Sequence, residues 1–196
     1  MDRPGTFVPF TITVCGIDEL GGYCEVGVSH VLSILDPDHP EPTAFGAYGE
    51  HERLELRFHD IIDEQQHMIA PEPDDVALLL RFGRDLLAEP PPQAHLLVHC
   101  HAGVSRSTAA MALLLAQARP DRPAAEALDE VVRIRPQAWP NLRIIEIGDR
   151  LLGRGGDLVV AVRNHYRAAA RRNPAMIRFM AEAGRHRELT GLDDGA

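Results

Sequence analysis

Cysteine is scarce in this 196-residue chain, which contains only Cys15, Cys24 and Cys100. An odd, sparse set cannot build a disulfide scaffold and suits a reducing compartment, so a cytoplasmic location is expected. No long apolar run occurs, and no membrane-spanning helix is expected. The first residues, Met1-Asp2-Arg3-Pro4-Gly5, lack the apolar core of a signal peptide. Positive charge is in deficit: the net charge is −9. Nucleic-acid binding and attachment to anionic membranes both depend on a positive field, so neither is expected. The three cysteines form no Cys-x-x-Cys pair, and neither a metal nor a cofactor is expected. There is no internal repeat or low-complexity block.

What remains is ordinary for a folded enzyme or binding domain, with 45% hydrophobic and 25% charged residues. Residues 7–15 alternate weakly and read as an edge strand, where Pro9 can be tolerated. Residues 29–35, 54–58 and 95–99 read as further strands. Helical patterns cover 73–88, 105–118, 123–134 and the stretch after Asn141 to Leu152. Strands interleaved with helices predict an α/β three-layer sandwich with a mostly parallel central sheet and crossover helices on both faces. Residues 1–155 are expected to form the main body. Residues 156–196 are expected to form a helical extension packed on the same domain. Its arginines, Arg163, Arg167, Arg171, Arg172, Arg178, Arg185 and Arg187, read as solvated helix faces, with docking on the acidic body as the alternative. Asp36, Asp38 and Glu41, in the Pro- and Gly-rich segment 36–50, read as solvated loop charges.

One segment carries chemistry. His99-Cys100-His101-Ala102-Gly103-Val104-Ser105-Arg106-Ser107 joins the apolar run His95–Val98 to the helix formers Thr108–Leu115. That order predicts a buried strand, a tight loop and a helix start. A helix N-terminus presents unpaired N–H groups and a partial positive charge, so it binds phosphate well. His101, Ala102, Gly103, Val104, Ser105 and Arg106 are predicted to curl into an anion nest, with Gly103 supplying a positive φ. Arg106 would grip two phosphoryl oxygens as a planar fork, with Cys100 beneath the phosphorus. The same field would favour the nucleophilic, anionic form of a sulfur placed there. Ser107 is expected to hydrogen-bond that sulfur, and His99 to order the loop from the strand side. An isolated cysteine would read as core packing; the arginine at fixed spacing, the glycine and the two serines point to a nucleophile instead. Adjacent residues on an extended segment face opposite ways, so His99, Cys100 and His101 are not expected to share a metal.

The stretch Val98–Ser107 resembles the signature of the cysteine-dependent protein tyrosine phosphatases. Its Ser105-Arg106-Ser107 ending is most similar to the dual-specificity branch. A second, weaker likeness is Arg135-Pro136 followed by Pro140-Asn141 before a late helix; Arg135 reads as structural rather than as part of the pocket rim. The resemblance implies phosphomonoester hydrolysis through a cysteinyl-phosphate, without a cofactor, on a phosphoprotein or phosphopeptide. It also implies an aspartate acid upstream of the cysteine, on a loop after a strand. Leu54, Leu56 and Phe58 alternate as a strand, and Asp60 just past its end maps to that position; Asp63 stays open as a rival. The low-molecular-weight tyrosine phosphatases carry the cysteine near the N-terminus with the acid far downstream, an order that does not fit here. The loop holds no lysine, unlike phosphoinositide phosphatases, which favours phosphoproteins. A non-hydrolysing pseudophosphatase and a rhodanese-like sulfurtransferase are the alternatives. Cys24 is a candidate partner for an oxidised Cys100.

Overall fold

A computed structural model describes residues 7–192. The Met1–Gly5 segment discussed above lies outside the described residues. Four strands, β1 (Thr11–Gly16), β2 (His30–Leu35), β3 (Glu52–Arg57) and β4 (His95–Cys100), form one sheet in the order β1-β4-β2-β3. All three pairings are parallel, with Gly16 opposite Cys100 and Ser33 opposite His99. The sheet is therefore wholly parallel, and both inner strands, β2 and β4, are buried at every position. Strand β1 is an edge, but it starts at Thr11, two residues after Pro9, which has no amide proton to give to the ladder.

The long helices are α1 (Pro73–Ala88), α2 (Arg106–Ala118), α3 (Ala124–Ile134), α4 (Leu142–Leu151) and α5 (Asp157–Arg172), followed by α6 (Ala175–Glu182) and α7 (His186–Leu189). Helix α1 begins at a capping box, in which the Glu72 amide donates to Asp75 at 2.9 Å, and it stops before the Pro90–Pro92 run. Helix α4 is capped by Asn141, whose side chain accepts from the Ile144 amide at 3.1 Å. Helix α2 is apolar on every side and buried from Arg106 to Ala116, because it is wedged among the sheet, α1, α3 and α4. Its large side chains, Met111, Leu113, Leu114 and Leu115, each contribute about 1.5–3 kcal/mol of burial. A buried helix of this kind holds its N-terminus rigidly at the end of β4.

The three layers are unequal. Leu96, Val98 and Cys100 of β4 face the long helices, with Leu32 and Ile34 of β2. Leu97 and Val31 face the other way, onto a small cluster with Leu20, Val28 and Phe45. That face is covered by two short 3-10 helices, Ile17–Tyr23 and Thr43–Ala47, rather than by longer crossover helices. The segments 1–155 and 156–196 share contacts: α5 packs on α3 and α4. Tyr166 of α5 stacks on the buried Trp139 with centroids 4.5 Å apart. Among the described residues, no helix is long and apolar enough to cross a membrane.

Candidate active site

Parallel strands share one carboxyl end, and in open α/β sheets that end hosts ligand sites. Here the residues just past β4, β2 and β3 meet: the loop His101–Ser105, then Asp36, then Asp60. The loop's carbonyls all point outward and are all engaged. His101 O accepts from the Ile17 amide at 2.9 Å, Val104 O from the Trp139 amide at 2.8 Å, and Ser105 O from the Asn141 amide at 3.2 Å. Ala102 O and Gly103 O accept from Nη2 and Nε of Arg135, each at 2.9 Å. Within a planar trans peptide the N–H points opposite to the C=O. Outward carbonyls at 101–105 therefore turn the following amides toward the inner side of the loop, the geometry an anion nest requires. Gly103 sits at φ +68, and a Cβ there would lie 2.5 Å from the Cys15 carbonyl carbon.

Arg135 is held by Glu19, whose two oxygens accept from it at 2.8 and 2.7 Å. The hydrogen bond from Arg135 keeps the Glu19 carboxyl below its usual range, against a smaller effect of burial. Arg135 is thus structural, and the structure it maintains is that of the loop itself.

Cys100 is buried at the floor of the nest, its Sγ 3.2 Å from Ser107 Oγ. Arg106 is 2% exposed. Its Nη1 donates to Asp36 Oδ1 at 2.7 Å and to Phe58 O at 2.6 Å. Among the described residues its buried Nε has no hydrogen-bond partner. Asp36 is therefore not a solvated loop charge; it anchors Arg106, and its amide donates to His101 Nε2 at 3.2 Å. Glu41 is not free either, since it pairs with Arg53. The His39 and His101 rings lie 4.6 Å apart at the rim. Burial and the Arg106 charge push the His101 pKa down, against Asp36.

Asp60 sits beside the loop with its side chain 32% exposed. Its Oδ1 accepts from Ser105 Oγ at 2.7 Å, Asn141 Nδ2 at 2.8 Å and Arg185 Nη1 at 3.1 Å. Burial alone would raise this carboxyl. The Arg185 and Arg106 charges and the Ser105 and Asn141 hydrogen bonds outweigh that effect and hold it below the usual range. Asp63 instead faces the surface and pairs with Arg187 at 3.1 Å. The basic tail is therefore partly docked: Arg185 pairs with Asp60 and Glu188, and Arg187 with Asp63 and Glu146.

His99 departs from expectation. It is fully buried, its ring nitrogens have no hydrogen-bond partner among the described residues, and the ring lies 5.5 Å from that of Phe45. Burial pushes its pKa down to about 4. Its buried ring fills space at the strand end beside Phe45. Cys24 contacts the carbonyls of Leu20 and Ala44 at 3.9 and 3.8 Å, among the 3-10 helices. Cys15 lies in that same cluster, and burial, reinforced by the Glu19 charge, pushes its thiol up to about 12. Among the described residues, no group of three potential metal ligands is assembled.

No family model matches the sequence, and no curated protein matches it. Solved structures do match the fold. Human DUSP28 superposes with a TM-score of 0.56 at 20% identity, covering 76% of this chain and 92% of its own. Tk-PTP in its active form gives 0.53 at 23% identity, covering 74% and 92%. A mouse putative dual specificity phosphatase gives 0.55 at 15% identity, covering 80% and 94%. The chain has the dual-specificity phosphatase fold. Within that fold, Cys100 occupies the strand-to-loop junction, and the nest and Arg106 surround it. The sequence missed Asp36, Asn141, Glu19 and Arg185 as parts of the site. Asp36 had a usable signal, since it directly follows a buried parallel strand neighbouring β4, and Asn141 had one in the Pro140-Asn141 pair that opens α4.

Proposed function

We propose that this protein is a phosphoric monoester hydrolase of the cysteine-dependent type, acting on phosphotyrosine in proteins or peptides and extending to phosphoserine or phosphothreonine. The observation that carries the reading is the set of five outward, fully bonded carbonyls at 101–105, which preorganises inward amides around Cys100. Preorganised donors of this kind stabilise the charge that develops on transferring oxygens. Cys100 Sγ attacks phosphorus as the bond to the ester oxygen breaks, and Asp60 gives its proton to that oxygen. Water, deprotonated by Asp60, then attacks the cysteinyl-phosphate. The sulfur leaves with the Ser107 hydroxyl beside it, releasing inorganic phosphate. No step uses a metal or cofactor.

Asp60 is favoured over Asp63 because it bonds Ser105 of the loop, whereas Asp63 points to the surface. Its engagement by three donors holds it as an anion in the free protein. A phosphate dianion on Arg106 would neutralise one of the two charges that stabilise this anion, so substrate binding itself helps Asp60 to take a proton. The same engagement favours a second reading, a phosphate binder that hydrolyses poorly. Turnover of p-nitrophenyl phosphate separates the two. The wild type turns over, Cys100→Ser does not while still binding vanadate, and Asp60→Asn loses about 10²–10⁴-fold. A wild type that binds vanadate without any Cys100-dependent turnover establishes the binder reading instead. A panel of phosphotyrosine, phosphoserine and phosphothreonine peptides with an inositol phosphate then ranks the substrates. Exclusive use of the inositol phosphate would overturn the protein-substrate assignment.

A further inference from the structure

Arg185 enters the site from the far end of the chain. It lies on the turn between α6 and α7 with its side chain 6% exposed, and all three guanidinium nitrogens are used. Nη1 donates to Asp60 Oδ1 at 3.1 Å and to Ser105 Oγ at 2.8 Å. Nε and Nη2 donate to the two oxygens of Glu188 at 2.8 and 2.6 Å. Glu188 is wholly buried and also takes Trp139 Nε1 at 2.7 Å and the Leu142 amide at 3.0 Å. The Trp139 amide in turn holds Val104 O of the loop. A continuous polar chain thus runs from the last helices to both the loop and the acid.

Glu188 alone would satisfy the charge of Arg185 through its paired, fork-to-carboxylate contact. The additional contact is with Asp60. The groups facing Asp60 are Arg185 from the α6–α7 turn, Ser105 and Arg106 from the loop and α2, and Asn141 from the start of α4. Behind them lie His101 and Glu188. Ser105 and Asn141 donate neutral hydrogen bonds, and Arg106 is committed to Asp36 and Phe58. Among the described residues, Arg185 is therefore the one cation that bonds Asp60 directly.

We propose that Arg185 is a positioning residue, a guanidinium strut that seats Asp60 against the phosphate loop and makes the C-terminal helices part of the active site. The inference rests on reading Asp60 as the general acid. Arg185 touches no reacting atom. It fixes the direction of the carboxylate, and its charge opposes protonation of that carboxylate.

The test uses the full chain with Arg185→Lys, Arg185→Gln, Glu188→Gln and the double variant Arg185→Gln/Glu188→Gln. The double change leaves no unpaired buried carboxylate and so guards against a folding failure. Two quantities are read: the pH profile of kcat/KM on p-nitrophenyl phosphate, and the ¹³C carboxyl titration of Asp60, assigned by its absence in Asp60→Asn. Removing an opposite charge at this distance raises a carboxyl pKa by about one unit or more. In Arg185→Gln the Asp60 titration and the basic limb of kcat/KM both move up by about that amount; the double variant also removes the nearby Glu188 charge, so there both move up by less. Arg185→Lys keeps the charge but not the fork, so its limb stays put while kcat falls severalfold at unchanged KM. An Asp60 titration unmoved in Arg185→Gln, or in the folded double variant relative to Glu188→Gln alone, overturns the proposal. A titration that moves while the limb does not reduces Arg185 to a structural role, which also overturns it. Failure of the phosphatase reading shows separately, as absence of Cys100-dependent turnover in the wild type. The carboxyl titration still decides whether Arg185 seats Asp60.

Discussion

Gly103→Ala is the sharpest perturbation of the cradle. At φ +68 a residue with a Cβ loses about 1–2 kcal/mol relative to glycine. The new Cβ would lie 2.5 and 2.6 Å from the carbonyl carbon and oxygen of Cys15, and 2.7 Å from Arg135 Nη2. Cys15 belongs to β1 and is hydrogen-bonded into the sheet, so the loop must yield. Overpacking of this kind costs about 1–3 kcal/mol. The sum is about 2–5 kcal/mol against the nest conformation. At 1.36 kcal/mol per decade, that predicts a loss in kcat/KM of about 30-fold to several thousandfold. The loop can discharge the strain by turning a peptide locally, so thermal stability falls less than activity does. The assay is kcat/KM on an aryl phosphate, paired with the vanadate inhibition constant as a direct reading of the nest and a thermal melt as the control for folding. Gly21→Ala, where a Cβ meets nothing within 4 Å, is the matched control and leaves both unchanged. A Gly103→Ala protein within threefold of wild type in both kcat/KM and vanadate binding would refute the reasoning.

Arg135→Lys keeps the charge but cannot span two loop carbonyls and both Glu19 oxygens. It weakens vanadate binding and kcat/KM by about tenfold, consistent with one lost charge-assisted hydrogen bond of about 1.5 kcal/mol; equal inhibition constants would exclude the loop-holding role. Trp139→Phe removes the donor to the buried Glu188 and lowers Tm by several degrees, since about 1–3 kcal/mol is at stake when a buried acceptor loses its partner; an unchanged melt would show that bond to be dispensable. The folded pKa of His99 lies near 4, below its ordinary 6.5. Its contribution is therefore fully present above pH 6.5 and is lost as pH falls toward 4, while the unfolded chain takes up the proton. The shift corresponds to about 3 kcal/mol. Burial lowers His30, His95 and His165 as well, so they add to the same slope. Tm should fall between pH 6.5 and 4, and His99→Leu should flatten part of that fall; a variant with the wild-type slope would remove His99 from the account.

Below about pH 4 a second decline sets in. Asp60 and Glu19 have depressed folded pKa values, so their contribution is present above the ordinary carboxylate range and disappears as pH falls through the folded values. Glu188 runs the other way: burial raises it, against Arg185, so its protonation partly relieves the cost of its burial.

What the sequence by itself determined is the part of the site whose causes are local. A buried strand, a glycine that tolerates positive φ and a run of helix formers build the nest from neighbours along the chain. Cys100, Gly103, Arg106 and Ser107 were therefore legible as a unit. The alternation at Leu54, Leu56 and Phe58 placed Asp60 at a strand end for the same reason. Only the tertiary structure decided what that unit is fastened to. Glu19 meets Arg135 across 116 positions, Arg106 meets Asp36 across 70, and Arg185 meets Asp60 across 125. No periodicity links such residues, because their proximity follows from the strand order β1-β4-β2-β3 and from where the α6–α7 turn meets the loop. The outward turn of the loop carbonyls was likewise invisible beforehand. It depends on donors from Ile17, at the start of the first 3-10 helix, and from Arg135, Trp139 and Asn141, all in the connection between α3 and α4.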